Sequence, residues 1–550
     1  MIKRSLLASS ITLAMMQTAT AAPLAPIDAR GMGMGGTGVA SAKLAHAPQY
    51  NPALLSTAHE DDDFAIVLPQ LGVVVADENE VVDGFDSLVN DEYTQSNGQS
   101  RTIIEHFEDI SDELNSILST GPNPIDTQLN NFQTLLDNVP GAGGNDSTTS
   151  AQLVNATNQL TTSTGALTGQ TQELEDTTLD LTSDLNSLSG KALRGTLGVN
   201  GAVAIPSKKF AAAISVGGSA YFSGRMFFTN NDTSLLNGYA EGINAYANAV
   251  NDYTQASSTL ASATAALESC SGPADCTAKA NAVSIAADAA DAELTELQDF
   301  SYEKDGKTIL DTDPGTGEIT LDDDLNSNVQ IIAVAITELG LTFSRNFDIK
   351  GHDIAIGITP KLQQIKTFSY VASVNDEEID EDAITDTEQD FSDFNIDAGV
   401  AYQFGDSKQW QAGVVAKNLL SNEYEAVSNT NATLGEAVKT TISLDTQFRA
   451  GVSHTTDWTV VAVDLDLMEN DPVAFEAPTQ YASIGAEFDL FDTLQLRAGY
   501  RNNLSESDAS VVSVGLGVSP FGVHFDLAAM ANPSDPKKEA GVAMEFGFYF

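Results

Sequence analysis

The chain has 550 residues, with 77 Asp or Glu against 25 Lys or Arg and a formal net charge of −52. An excess of that sign repels phosphate backbones and no basic stripe offsets it, so direct nucleic-acid binding is excluded. The length suits three or four average domains, or one large β architecture carrying insertions.

Residues 1–21 read as a secretory signal peptide. Lys3 and Arg4 form the positive start, Leu6 to Met16 the apolar core, and Ala19-Thr20-Ala21 the small-residue cleavage site. The apolar core is too short to span a bilayer. Cleavage leaves 23 basic against 77 acidic residues, a net charge of −54. In an exported chain the two cysteines, Cys270 and Cys276, are expected to form a disulfide. No later segment has the run of about 18 apolar residues that a membrane helix needs, so a membrane form of this chain would be a barrel.

Residues 22–60 open with Gly31-Met32-Gly33-Met34-Gly35-Gly36, which fits the G-x-G-x-x-G spacing of dinucleotide sites. That spacing has meaning only between a buried strand and a helix, and no strand precedes it here. Glycines also let a segment lie close against surrounding walls. Asn51 is placed to cap a short helix that starts at Pro52, with Leu54 and Leu55 as its apolar face. The expectation is a compact glycine-rich coil with a capped end, shaped to plug a barrel lumen.

Period-two alternation then recurs along the chain. Ile354, Ile356 and Ile358 alternate with Asp353, Ala355 and Gly357, and Leu494, Leu496, Ala498 and Tyr500 alternate with Gln495, Arg497, Gly499 and Arg501. Each such segment has one greasy and one wet face. About fourteen can be counted: the first within 61–75, two within 194–222 and the rest within 329–550. Their connections alternate long and short, as in transmembrane barrels with short periplasmic turns and longer external loops. Both chain ends then fall in the periplasm. Gly217-Gly218, in the third strand, is a candidate bulge or kink.

The two longest links, 76–193 and 223–328, carry a different period. Leu153, Leu160, Leu167, Leu174, Leu181 and Leu188 fall seven apart, with Thr157, Thr164, Thr171 and Thr178 between them. This is a helical seam weakened by threonine, and it needs a partner such as Ile103, Phe107, Ile110, Leu114 and Ile117. In the second link Tyr239, Tyr246, Tyr253, Leu260 and Leu267 repeat the spacing, and Val283, Ala287, Ala290, Leu294 and Leu297 follow the cysteines. That pattern predicts an antiparallel helical hairpin with the disulfide at its tip. Loop alternation places both insertions outside the cell.

The terminal EAGVAMEFGFYF is apolar at Val542, Met544, Phe546, Phe548 and Phe550, with Glu539 and Glu545 on the other face. An aromatic row of this kind suits the last strand of a bacterial outer-membrane barrel and the membrane interface.

DARGMGMGGTGVASA followed by YNPALL, together with the terminal GFYF, resembles the long-chain fatty-acid transporter superfamily of outer-membrane barrels. The closer resemblance is to its conjugal transfer TraF-like branch. The resemblance implies an outer-membrane barrel of about fourteen strands in a Gram-negative bacterium, a lumen held by an N-terminal hatch, and recognition of Phe546, Phe548 and Phe550 as a β-signal by barrel-insertion machinery. Implied partners are outer-membrane lipid and hydrophobic small molecules. The helical insertions add a different expectation, extracellular or conjugation-apparatus proteins.

Enzymatic signatures are lacking in the sequence. His46, His59, His106, His352, His454 and His524 show no metal-ligand spacing, and there is no G-x-S-x-G elbow or P-loop. Asp311 and Asp313 have calcium-like spacing, but the glycine and final acid of an EF-hand are misplaced. The acids from Asp376 to Asp382 read as a solvated loop. No enzyme activity, cofactor or metal is expected.

Overall fold

The computed structural model describes residues 26–57, 64–90, 93–94, 100–101, 103–122, 124–137, 147–312, 319–321, 325–373, 381–427, 441–491 and 493–549. The expected leader, Asp313, Asp376 and Phe550 lie outside them. The chain divides into two compact units. One comprises residues up to Val82, 190–227 and 328–550, and the other comprises 83–189 and 228–327.

The first unit is a closed barrel of fourteen antiparallel strands. In chain order they are β1 (Ala65–Ala76), β2 (Ala192–Ile205), β3 (Ala211–Phe227), β4 (Asn328–Ile349), β5 (His352–Ser373), β6 (Gln389–Phe404) and β7 (Trp410–Lys417), then β8 (Gln447–Thr455), β9 (Thr459–Asp466), β10 (Tyr481–Leu490), β11 (Leu494–Asn503), β12 (Ser510–Val518), β13 (Val523–Ala531) and β14 (Glu539–Tyr549). Neighbours in sequence are neighbours in the wall, and β1 closes the ring by pairing with both β2 and β14. Ala65 lies opposite both Tyr549 and Ala204, so the start of β1 and the end of β14 share a rim with the short β2–β3 turn.

Side-chain alternation separates two environments. On β11, Leu496 and Tyr500 are exposed while Gln495, Arg497 and Arg501 are buried; on β14, Val542, Met544 and Phe546 are exposed while Ala543 and Glu545 are buried. The outside is a continuous apolar belt, as lipid requires, and the charged groups point into the lumen. Trp410, Trp458, Phe491 and Phe521 stand exposed beside or within the short turns, in the position of an interfacial aromatic girdle.

The bulge expected at Gly217-Gly218 is not present. Gly217 faces Asn200 and Glu338, Gly218 faces Val199 and Thr337, and the ladder passes through both without a register shift. The register shift lies in β1 instead, between Val67 and Gln70, where Leu68 and Pro69 both face outward. Proline cannot donate to a ladder, and a bulge frees it from that duty.

The second unit is mainly helical, with a small three-stranded sheet over Ser301–Lys304, Lys307–Thr312 and Ile319–Leu321. It contains α3 (Ile103–Asn115), α4 (Ile125–Asp137), α5 (Ser147–Leu188), α6 (Asn230–Glu268) and α7 (Pro273–Gln298); α1 and α2 belong to the barrel unit and are described below. α5 has 42 residues, about 63 Å at the helical rise. All six seam leucines of α5 are buried. Their chief partner is α6 rather than α3, and Leu160 and Leu167 share a core with Tyr246, Tyr253 and Leu260 of α6 and with Ile110 and Leu114 of α3. Thr164 shows how a buried threonine fits: its hydroxyl donates to the Leu160 carbonyl of the preceding turn at 2.8 Å and lies 2.9 Å from the Thr254 hydroxyl. α6 and α7 form the expected hairpin, with the Cys270–Cys276 disulfide at the connection.

Candidate functional site: the plugged lumen

The lumen of the barrel is occupied by residues 26–57. The glycine stretch expected as coil contains a short helix, α1 (Ala29–Gly33), capped by Asp28, whose Oδ1 accepts the Gly31 N–H at 2.6 Å. Enclosure favours the helix, because backbone groups shut away from water must pair with something. α2 (Ala47–Tyr50) follows, and Asn51 then begins a 3₁₀ turn over Pro52–Ser56. Asn51 Oδ1 caps that turn by accepting from Ala53 N at 3.1 Å, while its Nδ2 donates to the carbonyls of Val39 (2.9 Å) and Val400 (3.3 Å).

Close approach explains the glycines. Gly35 has φ +69°, and a Cβ there would sit 2.9 Å from both backbone N and O of Tyr500 in the wall. The wall reciprocates at Gly399, where a Cβ would lie 1.9 Å from Asn51 Oδ1. Gly31 has no room for a side chain beneath the Tyr50 hydroxyl, and Gly33 lies against Gly515.

Charge fixes the plug in register. Arg30 Nε reaches Glu487 Oε2 at 3.0 Å, and Lys43 Nζ reaches Glu487 Oε1 at 3.2 Å. Arg497 binds the same Glu487 (2.7 Å) and Asp526 (2.5 Å), extending the chain of charges across β10, β11 and β13. Asp464 on β9 accepts the N–H groups of Gly38 (2.7 Å) and Val39 (2.9 Å) with one carboxylate oxygen. Tyr50 donates to Asp28 Oδ2 at 2.5 Å. Burial and the adjacent Asp28 carboxylate hold the Tyr50 hydroxyl well above its usual pKa, so it remains a donor.

Between plug and wall, two cavities of about 70 and 120 Å³ lie among the described residues. The larger is lined by Ile27, Val39 and Tyr50 of the plug and by Gly218, Tyr221 and Ile336 of the wall, together with Glu338, Lys417 and Arg449. Gly217 lines both cavities. Neither glycine adds a side chain to the wall, though Asn200 stands beside Gly217 and Val199 beside Gly218; the lining as a whole mixes apolar and polar groups.

Of the residues singled out in the sequence, Gly31, Gly33, Gly35, Gly36, Asn51 and Pro52 all lie in the plug, and Gly217 and Gly218 line the cavity. Phe546 and Phe548 lie away from both, on the outer side of β14, with ring centroids 5.1 Å apart. Sequence reasoning missed Asp28, His46, Tyr50, Asp464 and Glu487. The charges at alternate positions of β9 to β11 were a signal that the lumen would be ionic, but nothing local told which plug residue each would meet.

Solved structures similar in fold are a toluene transporter, TbuX, of Ralstonia pickettii (10% identity, 96% of this chain and 99% of that one, TM-score 0.39) and a FadL homologue of Pseudomonas aeruginosa (10% identity, 97% and 99%, TM-score 0.39). No curated relative matches the sequence. The model of one protein family, described as "F plasmid transfer operon, TraF, protein", matches at residues 48–156 and 126–466. Those segments cover the 3₁₀ turn of the plug, the helical unit and nine of the fourteen strands, and the chain therefore belongs to that family.

Proposed function

We propose that this protein is an outer-membrane barrel that admits small hydrophobic or amphipathic solutes through the space beside its N-terminal plug. The observation that carries this reading is the cavity of about 120 Å³ between Tyr50 of the plug and Gly217-Gly218 of β3, large enough for one small solute. A solute there meets Ile27, Val39, Tyr221 and Ile336 for an apolar body, Glu338, Lys417 and Arg449 for a polar head, and the glycine pair of β3 as the stretch of wall through which to leave sideways into lipid. Filling that stretch is the direct test. Replacing both Gly217 and Gly218 with valine is expected to reduce uptake of a hydrophobic substrate at least tenfold, while heat-modifiable gel mobility still reports a folded barrel. Unchanged uptake in the folded variant rejects the reading.

A second role is favoured by the helical unit, which has its own core and carries 35 acidic against four basic residues over 83–189 and 228–327. Solute passage has no need of it, and the plasmid-transfer description of the family suits a surface that engages other proteins. Deleting 234–299 separates the roles: lost partner binding with retained flux assigns the unit to interaction, and the reverse assigns it to transport.

A further inference from the structure

Asp28, His46 and Glu545 meet inside the barrel, and all three are buried, at 0%, 2% and 1% exposure for Asp28, His46 and Glu545. His46 Nε2 lies 2.8 Å from Glu545 Oε1 and 3.8 Å from Asp28 Oδ1. One donor atom from each residue falls within 4.8 Å of the other two. Two of the residues belong to the plug and the third to β14.

The surroundings hold each of these groups from behind. His46 Nδ1 is 3.3 Å from the Tyr549 hydroxyl. Asp28 Oδ2 accepts from Tyr50, its Oδ1 keeps one lone pair beside the Gly31 N–H it accepts at 2.6 Å, and Glu545 Oε2 accepts from Gln70 Nε2 at 3.5 Å. The far atom of each side chain is thus engaged while the near atoms converge. Metal-binding histidines and carboxylates are oriented in this way by partners outside the coordination sphere. Charge points in the same direction. Two carboxylates shut away from water require compensation, one imidazolium supplies half of it, and Arg30 is committed to Glu487.

We infer that Asp28 Oδ1, His46 Nε2 and Glu545 Oε1 bind one divalent transition metal of the zinc class, fastening the plug to the last strand. One nitrogen and two carboxylate oxygens suit Zn²⁺, with water as fourth ligand, and are too few oxygens for Ca²⁺. Tetrahedral zinc ligands lie roughly 3.3 Å apart at ordinary bond lengths. The His46 separations of 2.8 and 3.8 Å straddle that value. On binding, the proton shared by His46 and Glu545 leaves to solvent and the metal takes its place. The assignment rests on the placement of the plug and is independent of any solute.

The test uses the full chain, without a polyhistidine tag, extracted from outer membranes in detergent, stripped with a chelator and titrated with Zn²⁺. The expected result is one retained equivalent per chain by elemental analysis, with one proton released. His46→Ala and Glu545→Gln should each lose that equivalent, and Tyr549→Phe should weaken it roughly 10-fold. His352→Ala, at an exposed position, should leave it intact. Glu545→Gln is nearly isosteric, and heat-modifiable mobility confirms that each variant is folded. A folded wild-type chain that retains no zinc overturns the site. So does zinc retained by either variant, which would place the metal on the acidic exterior.

Discussion

Asp126 shows how one side chain couples the helical unit to pH. It lies in the first turn of α4, and burial raises its carboxyl to a pKa of about 6. The folded state therefore holds the proton more tightly than the unfolded one. The penalty for the charged form is fully present above pH 6 and disappears as pH falls towards the unfolded value. Because the group is only half-buried, solvent screening leaves a net effect of about 1 kcal/mol. Asp126→Asn should raise the melting midpoint of the helices at pH 7 by roughly 2–4 °C and flatten its change between pH 7 and 5. Thermal melts followed by far-UV circular dichroism check both; a variant whose pH slope matches wild type removes Asp126 as the cause. At this scale the sequence was readable only where partners are neighbours. Asn51 and Pro52 announce their turn because Ala53 is two residues away, whereas His46 and Glu545 are separated by 499 positions and share no pattern.

Elements were far more legible, because a period survives without knowledge of the partner. Lipid on one side and a wet lumen on the other impose strict alternation, and fourteen segments of that kind became fourteen strands with ends displaced by only a few residues. The leucine spacing of α5 likewise identified its buried stripe, yet not what would cover it. Its main partner, α6, is encoded beyond two intervening strands, and a heptad records that a face is apolar without recording which helix fills it. The stripe makes a direct prediction. Leu167 is 0% exposed in the centre of the seam, and Leu179 on the same helix is 52% exposed. Leu167→Ala should destabilise the helical unit by about 2–5 kcal/mol through lost burial and the cavity left behind, whereas Leu179→Ala should stay within about 0.5 kcal/mol. Urea unfolding monitored by the helical dichroism separates them, and equal midpoints for the two variants would remove α5 from the core.

At the scale of the whole molecule, the barrel has to close on itself and on its plug, and β14 is where both happen. It pairs with β13 on one side and β1 on the other, and its Glu545 meets His46 of the plug. Its outer face carries Val542, Met544 and Phe546, all exposed to the surroundings of the barrel. Phe548 packs edge-on against Phe546, and the aromatic row continues to Phe550 in the sequence. Each Phe transferred into lipid contributes roughly 1.5–3 kcal/mol, and a charge on that face near the interface costs far less than one at the bilayer centre. Bulk energetics alone therefore predict that replacing Phe548 and Phe550 with Asp weakens the barrel only modestly. Recognition of the terminal strand by insertion machinery predicts something sharper: normal export, no folded barrel in the outer membrane, and degradation in the periplasm. Heat-modifiable gel mobility of purified outer membranes distinguishes the two. The expected result is loss of at least nine-tenths of the fast-migrating form in the double-Asp variant, with Phe548→Leu close to wild type. A double-Asp variant that still yields the folded form at normal abundance would mean that the aromatic end of β14 contributes packing and is not the signal by which the chain is inserted.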